Sequence, residues 1–194
     1  LKSNAYIAKS DYLKLIPAFK DTVEYFRILQ RSKMLKSYCT QNGMDEKDVL
    51  EIIDTYDNLE SKVDVANDMF IKRQMITEQE YLDNILKDVD SNIMLDEDQR
   101  RVVLTDEDYC LVIAGAGAGK TTTVAAKVKY LVEKKKIEPR DILVISFTNK
   151  AVGELREKIN KDLHIECPIA TFHSTGNAIL RINDPEPLNI FDAS

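Results

Sequence analysis

Residues Cys110 to Thr123 read Cys-Leu-Val-Ile-Ala-Gly-Ala-Gly-Ala-Gly-Lys-Thr-Thr-Thr. The apolar run Leu111-Val112-Ile113 predicts a buried strand, and the residues from Thr122 onward predict a helix. Between them Gly115, Gly117 and Gly119 alternate with alanine and lead into Lys120 and Thr121. Strand, small-residue loop and helix in that order make a phosphate-binding loop. Small residues let the backbone N–H groups close around a polyphosphate, and the helix start adds unpaired N–H groups and a positive dipole end. In this reading Ala116, Gly117, Ala118, Gly119 and Thr122 contact phosphates. Lys120 brings a mobile charge to the β- and γ-phosphates, and Thr121 brings a hydroxyl to Mg²⁺. The strict pattern would have glycine where Ala114 stands, which alanine satisfies if φ there is negative. A plain surface turn would not need the Gly-Lys-Thr ending.

Composition sets outer limits. The chain has 194 residues, 44% hydrophobic and 31% charged, as expected of a soluble globular protein. No apolar run is long enough to cross a bilayer, so no membrane partner is expected. Cys39, Cys110 and Cys167 are odd in number and far apart, which fits neither a disulfide framework nor a zinc site and points to the cytoplasm. The start at Leu1 and the Asp-Ala-Ser end suggest a piece of a longer protein. The net charge of −6 excludes a uniformly basic nucleic-acid binder, so any such contact has to be local.

Upstream, residues 1–90 read as an all-α region and residues 91–194 as a partial α/β domain. Ile16, Phe19, Val23 and Phe26 share one helical face, with Pro17 tolerated in the first turn. Asn42-Gly43 is a stop signal and Asp45 an N-cap for the next helix. Val49, Ile52, Tyr56, Leu59, Val63, Ala66 and Phe70 then keep a 3-4 spacing, as in a coiled-coil seam. Two arrangements satisfy it: an antiparallel helical hairpin turning at Asn42-Gly43, or amphipathic helices packed on a globular neighbour. Thr77-Glu78-Gln79-Glu80 reads as a capping box opening a helix that carries Leu82, Ile85 and Val89.

Downstream, Ile142 to Ile145 predicts a second strand, Val152, Leu155, Ile159 and Leu163 a helix, and Ile169-Ala170 a third strand. Alternating strand and helix predicts a parallel sheet with helices on both faces, a P-loop NTPase architecture. Ser146-Phe147-Thr148-Asn149-Lys150 and Thr171-Phe172-His173-Ser174 come after the second and third strands, where open parallel sheets place their binding loops. Aromatic rings beside short polar groups suit single-stranded nucleic acid, with bases stacked and phosphates held. The alternatives are plain core aromatics for both rings and a structural hydrogen-bonder for His173. Gln99, ahead of the loop strand, carries an amide able to pair with adenine N6 and N7, or is a solvent-facing helix residue.

Taken as a set, these motifs resemble the first RecA-like domain (1A) of superfamily 1A helicases, the UvrD/Rep family. Leu95-Asp-Glu-Asp-Gln99 is similar to its Q motif, with Asp96 where the family usually has asparagine. Ala114 to Thr121 is similar to its first motif, alanine included. Ser146 to Ala151 and Thr171 to Ser174 are similar to its DNA-contacting motifs Ia and Ib. Phe70-Ile71 and Tyr81-Leu-Asp-Asn84 make the helical part most like the DNA helicase IV subgroup.

The resemblance implies an N-terminal piece of an ATP-dependent DNA helicase, with ATP and Mg²⁺ as cofactors and single-stranded or tailed duplex DNA as partner. It gives Gln99 the adenine, Gly117 to Thr122 the phosphates, Lys120 the γ-phosphate and Thr121 the metal. Phe147, Thr148, Asn149, Phe172 and His173 would line the strand path. It also admits RNA polymerase or repair and recombination proteins as partners, since relatives of helicase IV remodel polymerase. ATP hydrolysis further needs an acidic pair after an apolar strand. Asp184 and Glu186 flank a proline, and Asp96-Glu97 and Asp106-Glu107 belong to turns or caps. The 194 residues alone are therefore expected not to turn over ATP.

Overall fold

The structure is a computed structural model that describes residues 4–115 and 117–183. The chain divides into two compact units, Leu1–Glu78 with Leu104–Val112, and Gln79–Val103 with Ile113–Ser194. Among the described residues no helix is long and apolar enough to cross a membrane. Cys39, Cys110 and Cys167 are free thiols.

The first unit is helical. It holds α1 (Lys9–Leu13), α2 (Leu15–Arg31), α3 (Leu35–Gln41), α4 (Glu46–Asp57) and α5 (Leu59–Thr77). Pro17 lies in the first turn of α2, where its missing N–H costs nothing. Val23, Phe26 and Leu29 of α2 pack with Leu35, Cys39, Val49 and Ile53 into one core cluster. A smaller cluster joins Tyr12, Leu59 and Val63.

Two helices end in the same kind of closure. Gly43 has φ 66°, and Met44 N–H reaches back to Cys39 O at 2.9 Å, ending α3 where the Asn-Gly signal predicts. At the end of α2 Lys33 takes φ 59°, and Met34 N–H donates to Leu29 O at 2.9 Å. There no glycine announces the stop. Asp45 caps α4 as expected, accepting Lys47 N–H at 2.8 Å.

The long seam is interrupted. At Asn58 (φ −113°, ψ 25°) the helix breaks, and the Asn58 amide donates to Asp54 O at 3.1 Å, competing with the backbone ladder. The buried stripe becomes Val49 and Ile53, then Leu59, Val63, Asn67 and Ile71. Ile52, placed on the seam by its spacing, is 44% exposed. A single uninterrupted helical arm is therefore not formed. Asn67 is buried because it mimics a backbone: its amide donates to Ile7 O and accepts from Ile7 N–H, both at 2.9 Å.

The acidic turn before Tyr109 serves this unit too. Glu107 Oε1 accepts Lys9 N–H and Asp108 Oδ2 accepts Ser10 N–H, each at 2.8 Å, so two carboxylates cap the start of α1 from across the sequence.

The second unit contains α6 (Gln79–Asn84), α7 (Glu97–Leu104), α8 (Lys120–Glu133), β1 (Val144–Ser146), α9 (Asn149–Arg156), β2 (Ile169–Thr171) and α10 (Phe172–Asn183). A π-helical turn, Glu157–Asp162, prolongs α9. Strands β1 and β2 are parallel, with Val144 opposite Ile169 and Ser146 opposite Thr171, and α9 forms the crossover.

Three sequence expectations are corrected. The capping box at Thr77 does not form, because Thr77 is the last residue of α5 and its hydroxyl donates to Arg73 O at 3.0 Å, although a helix, α6, does open at Gln79. The second strand starts only at Val144, since Ile142 N–H is held by Pro139 O at 3.1 Å in a 3₁₀ turn. Finally, Leu111 to Ile113 is no buried strand: among the described residues it joins no ladder, and Leu111 and Ile113 are 86% and 91% exposed. A strand exists only through a partner edge, and β1 and β2 pair with each other.

Both closures and the acidic cap can be tested by stability. A Cβ at Gly43 would meet open space, so Gly43→Ala should cost about 1 kcal/mol through positive φ alone, while Lys33→Gly should gain about 0.5 kcal/mol, both read from urea unfolding. The Ser10 N–H also holds the Asp108 carboxyl below its ordinary value. That contribution is present above the unfolded carboxyl pKa and is lost as pH falls through the lower folded value. Asp108→Asn should flatten the acid limb of the stability curve below about pH 4, and an unchanged limb would refute the linkage.

Candidate functional site

The glycine-rich loop closes on itself. Gly117 and Gly119 have φ 77° and 72°, and Gly119 is the N-cap residue of α8. Lys120 turns its ammonium back, with Nζ donating to Gly115 O at 2.7 Å and Ala114 O at 3.3 Å. Thr123 N–H makes the first helical bond to Gly119 O at 2.8 Å. The N–H groups of Lys120, Thr121 and Thr122 therefore precede the ladder, the position from which a helix start can hold an anion. Ala116 lies outside the described residues.

Gln99 is seated against this loop. Its Nε2 donates to Ala118 O at 3.3 Å, while its Oε1 accepts Asp96 N–H at 3.1 Å. Asp96 Oδ1 in turn accepts Gln99 N–H at 2.8 Å, so the two residues form a reciprocal capping box at the start of α7. An aspartate caps a helix as well as an asparagine does, and this accounts physically for Asp96. A Cβ at Gly119 would stand 2.5 Å from Gln99 Nε2, so the amide would have to shift from where it lies if residue 119 carried a side chain. With one bond at each end, the amide keeps a lone pair on Oε1 and a hydrogen on Nε2.

Neighbouring residues fix this arrangement. Arg100 donates to Leu95 O at 2.8 Å and pairs with Asp83 Oδ1 at 2.6 Å, tying α7 to α6. Lys129, buried, pairs with Asp88 Oδ2 at 2.7 Å and holds that carboxyl below its ordinary value. Lys158 Nζ donates to Thr122 Oγ1 at 3.2 Å, so the turn that prolongs α9 reaches the start of α8. Sequence reasoning does not find these partners. An arginine directly after Gln99 is a signal for the first; nothing marks Lys158.

At the ends of β1 and β2 the aromatic residues point outward. Phe147 is 81% and Phe172 68% exposed, so neither is a core aromatic. Because Ser146 and Thr171 are register partners, the two rings leave adjacent parallel strands about 4.8 Å apart at the same end. Thr148 caps α9 by accepting Ala151 N–H at 3.2 Å, and exposed Asn149 opens that helix. Thr171 caps α10, accepting Ser174 N–H at 3.2 Å. His173 is exposed and meets Phe172 edge-on at 6.5 Å between centroids. Phe147, Thr148, Asn149, Phe172 and His173 thus form one group; Gln99, Ala118, Gly119 and Lys120 form another. Among the described residues no hydrogen bond or ring contact joins them directly. The link is α9, capped by Thr148 at one end and carrying Lys158 beyond the other.

No group of three or more acidic, histidine or cysteine residues suited to a metal occurs among the described residues. Asp184 and Glu186 lie outside them. Thr121, half-buried in the first turn of α8, offers a hydroxyl only.

Comparison with known proteins gives this geometry its relatives. Residues 95–187 match the family described as UvrD/REP helicase N-terminal domain. A probable DNA helicase II homolog of Mycoplasma capricolum is 40% identical over 93 residues, covering 46% of this chain and 13% of that protein. A probable DNA helicase of Mycoplasma pneumoniae is 40% identical over 95 residues, 45% of this chain and 17% of the relative. The ATP-dependent DNA helicase PcrA of Staphylococcus aureus is 37% identical over 90 residues, 45% and 12% respectively. The shared segment thus spans less than a fifth of each relative. The family match starts at Leu95, beside the Asp96–Gln99 capping box, and runs through the loop and both strand ends. Residues 95–187, just under half of the chain, are thus similar to the UvrD/REP helicase N-terminal domain family.

Proposed function

We propose that the chain is the N-terminal part of a cytoplasmic, ATP-dependent DNA helicase that moves along single-stranded DNA and separates duplexes. The observation that carries this reading is the Gln99 amide lying on Ala118 and Gly119 of the glycine-rich loop. Adenine and polyphosphate would then be read by two adjoining elements.

The residues present fit MgATP. The loop already cradles a cation, Lys120 on two carbonyls, and Gly119 leaves room that a methyl group would fill. Lys120 would exchange those carbonyls for the γ-phosphate, while the first N–H groups of α8 hold the other phosphates. Gln99 would use its spare lone pair and hydrogen on adenine. Thr121 would supply one ligand to Mg²⁺, an ion that keeps several waters and phosphate oxygens and neutralises phosphate charge. Residues 91–194 would form a partial 1A domain of P-loop type, with residues 1–90 a helical region before it. The 194 residues contain no Asp-Glu pair after an apolar strand, so turnover would need residues from the rest of the protein.

Exposed Phe147 and Phe172, each directly after one of the paired strands, would provide two stacking surfaces for successive bases, and Thr148, Asn149 and His173 would provide polar contacts to the backbone. Lys158 on Thr122 gives the strand-facing helix a direct bond to the nucleotide-facing one.

In the full-length protein, Lys120→Ala should abolish single-strand-stimulated ATP hydrolysis, with a loss of at least about 100-fold; equal rates would refute the assignment. Gln99→Ala should weaken ATP binding about tenfold while leaving inorganic polyphosphate binding nearly unchanged, separating base reading from loop integrity. Gly119→Ala should weaken both, because the new Cβ displaces the Gln99 amide and strains positive φ.

A further inference from the structure

The helical first unit carries an apolar groove of its own. Leu15, Phe19, Val23 and Phe26 of α2 form one wall, and Ile52 and Tyr56 of α4 the other, around a volume of about 490 Å³. Its floor is core, since Val23 and Phe26 are buried; its mouth is open, with Phe19 50% and Ile52 44% exposed. This is the half of the α2 stripe, and the one seam position on α4, that the fold leaves uncovered. Contiguous apolar surface of this kind marks an interaction site.

Charge at the rim is one-sided. Asp48 and Glu51 line the groove and no lysine or arginine does. Two cations reach lining residues, Lys62 on Thr55 Oγ1 at 2.9 Å and Arg27 over the Tyr56 ring at 5.8 Å, but each is matched by carboxylates: Lys62 pairs with Asp54 Oδ2 at 2.6 Å. Arg27 pairs with Glu24 and Asp57. Among the described residues Asp48 and Glu51 have no ion pair, so their charge faces whatever enters.

We infer that this groove receives an amphipathic helix from a partner protein, with apolar anchors facing α2 and lysine or arginine residues facing Asp48 and Glu51. A helix is required because the first unit has no strand edge among its described residues, and an extended segment would bury unpaired N–H and C=O groups there. The wall from Leu15 to Phe26 is about 16 Å long, which accommodates roughly three helical turns and anchors at i, i+4, i+7 and i+11. Complementary charge orients the helix and rejects acidic ones.

The test uses the 194-residue chain and two synthetic helices of about fifteen residues, both with leucines at those four positions. One carries lysines beside the leucine stripe, the other glutamates in the same places, and fluorescence anisotropy reads binding. The lysine peptide should bind at least about tenfold more tightly than the glutamate peptide. Ile52→Glu should lower its affinity at least about tenfold with the helical circular dichroism unchanged, since that side chain is exposed. The double change Asp48→Lys with Glu51→Lys should reverse the preference. Equal affinity for both peptides, indifference to Ile52→Glu, or no binding at about 1 mM would each overturn the inference. So would a concentration-dependent dimer of the chain that Ile52→Glu dissolves, because the occupant would then be a second copy.

Discussion

One side-chain amide holds the candidate nucleotide site together. Gln99 takes a backbone hydrogen from Asp96, returns one of its own to the loop through Ala118 O, and rests where Gly119 has no side chain. Each of these demands constrains a different part of the chain. The capping box requires an acceptor at Asp96; the loop contact requires glycine at Gly119; Arg100, through Asp83, requires α6 close by. A short helix whose Val103 is already buried is thereby also hydrogen-bonded to the glycine-rich loop. The arrangement is hydrogen-bonded at Gln99 and charged at Lys120, which would suit preorganised binding of a nucleotide in the proposed reading.

A second dependency runs through α9. Its first turn is set by Thr148, next to the exposed ring of Phe147, and the turn beyond it reaches Thr122 through Lys158. Arg156 of the same helix donates to Ile169 O at 2.7 Å, which ties β2 to α9. In the proposed reading, a helix hydrogen-bonded toward both groups would be the physical route between the loop helix and the exposed rings. Its material is one rigid element and three named hydrogen bonds.

Short-range chemistry is legible in the sequence; competition between elements is not. Gly43 ends α3 because Asn-Gly has a local reason to turn, and Asp45 caps α4 for the same kind of reason. Lys33 ends α2 in the same backbone shape without glycine, since tertiary packing of Leu29 and Leu35 decides the stop and no local preference announces it. Thr77 carries the letters of a capping box, yet a threonine inside a helix satisfies itself on the carbonyl four residues back. The working box is Asp96 to Gln99, in a stretch whose glutamine draws attention as an adenine reader. Gly117 and Gly119 take the positive φ that a tight loop of small residues suggests. The strand expected at Leu111 to Ile113 fails for a different reason: the run has apolar character, but a ladder needs a neighbour that no local pattern can supply.

The most direct test of the Gln99 link is hydrogen–deuterium exchange of the full-length protein with and without a slowly hydrolysed ATP analogue and Mg²⁺. If one nucleotide bridges both elements, backbone amides of α7 and of residues 117–123 should gain protection together, and Gln99→Ala should confine that gain to the loop. Protection of the loop alone in the unaltered protein would show that the amide does not read the base, and would contradict the site described.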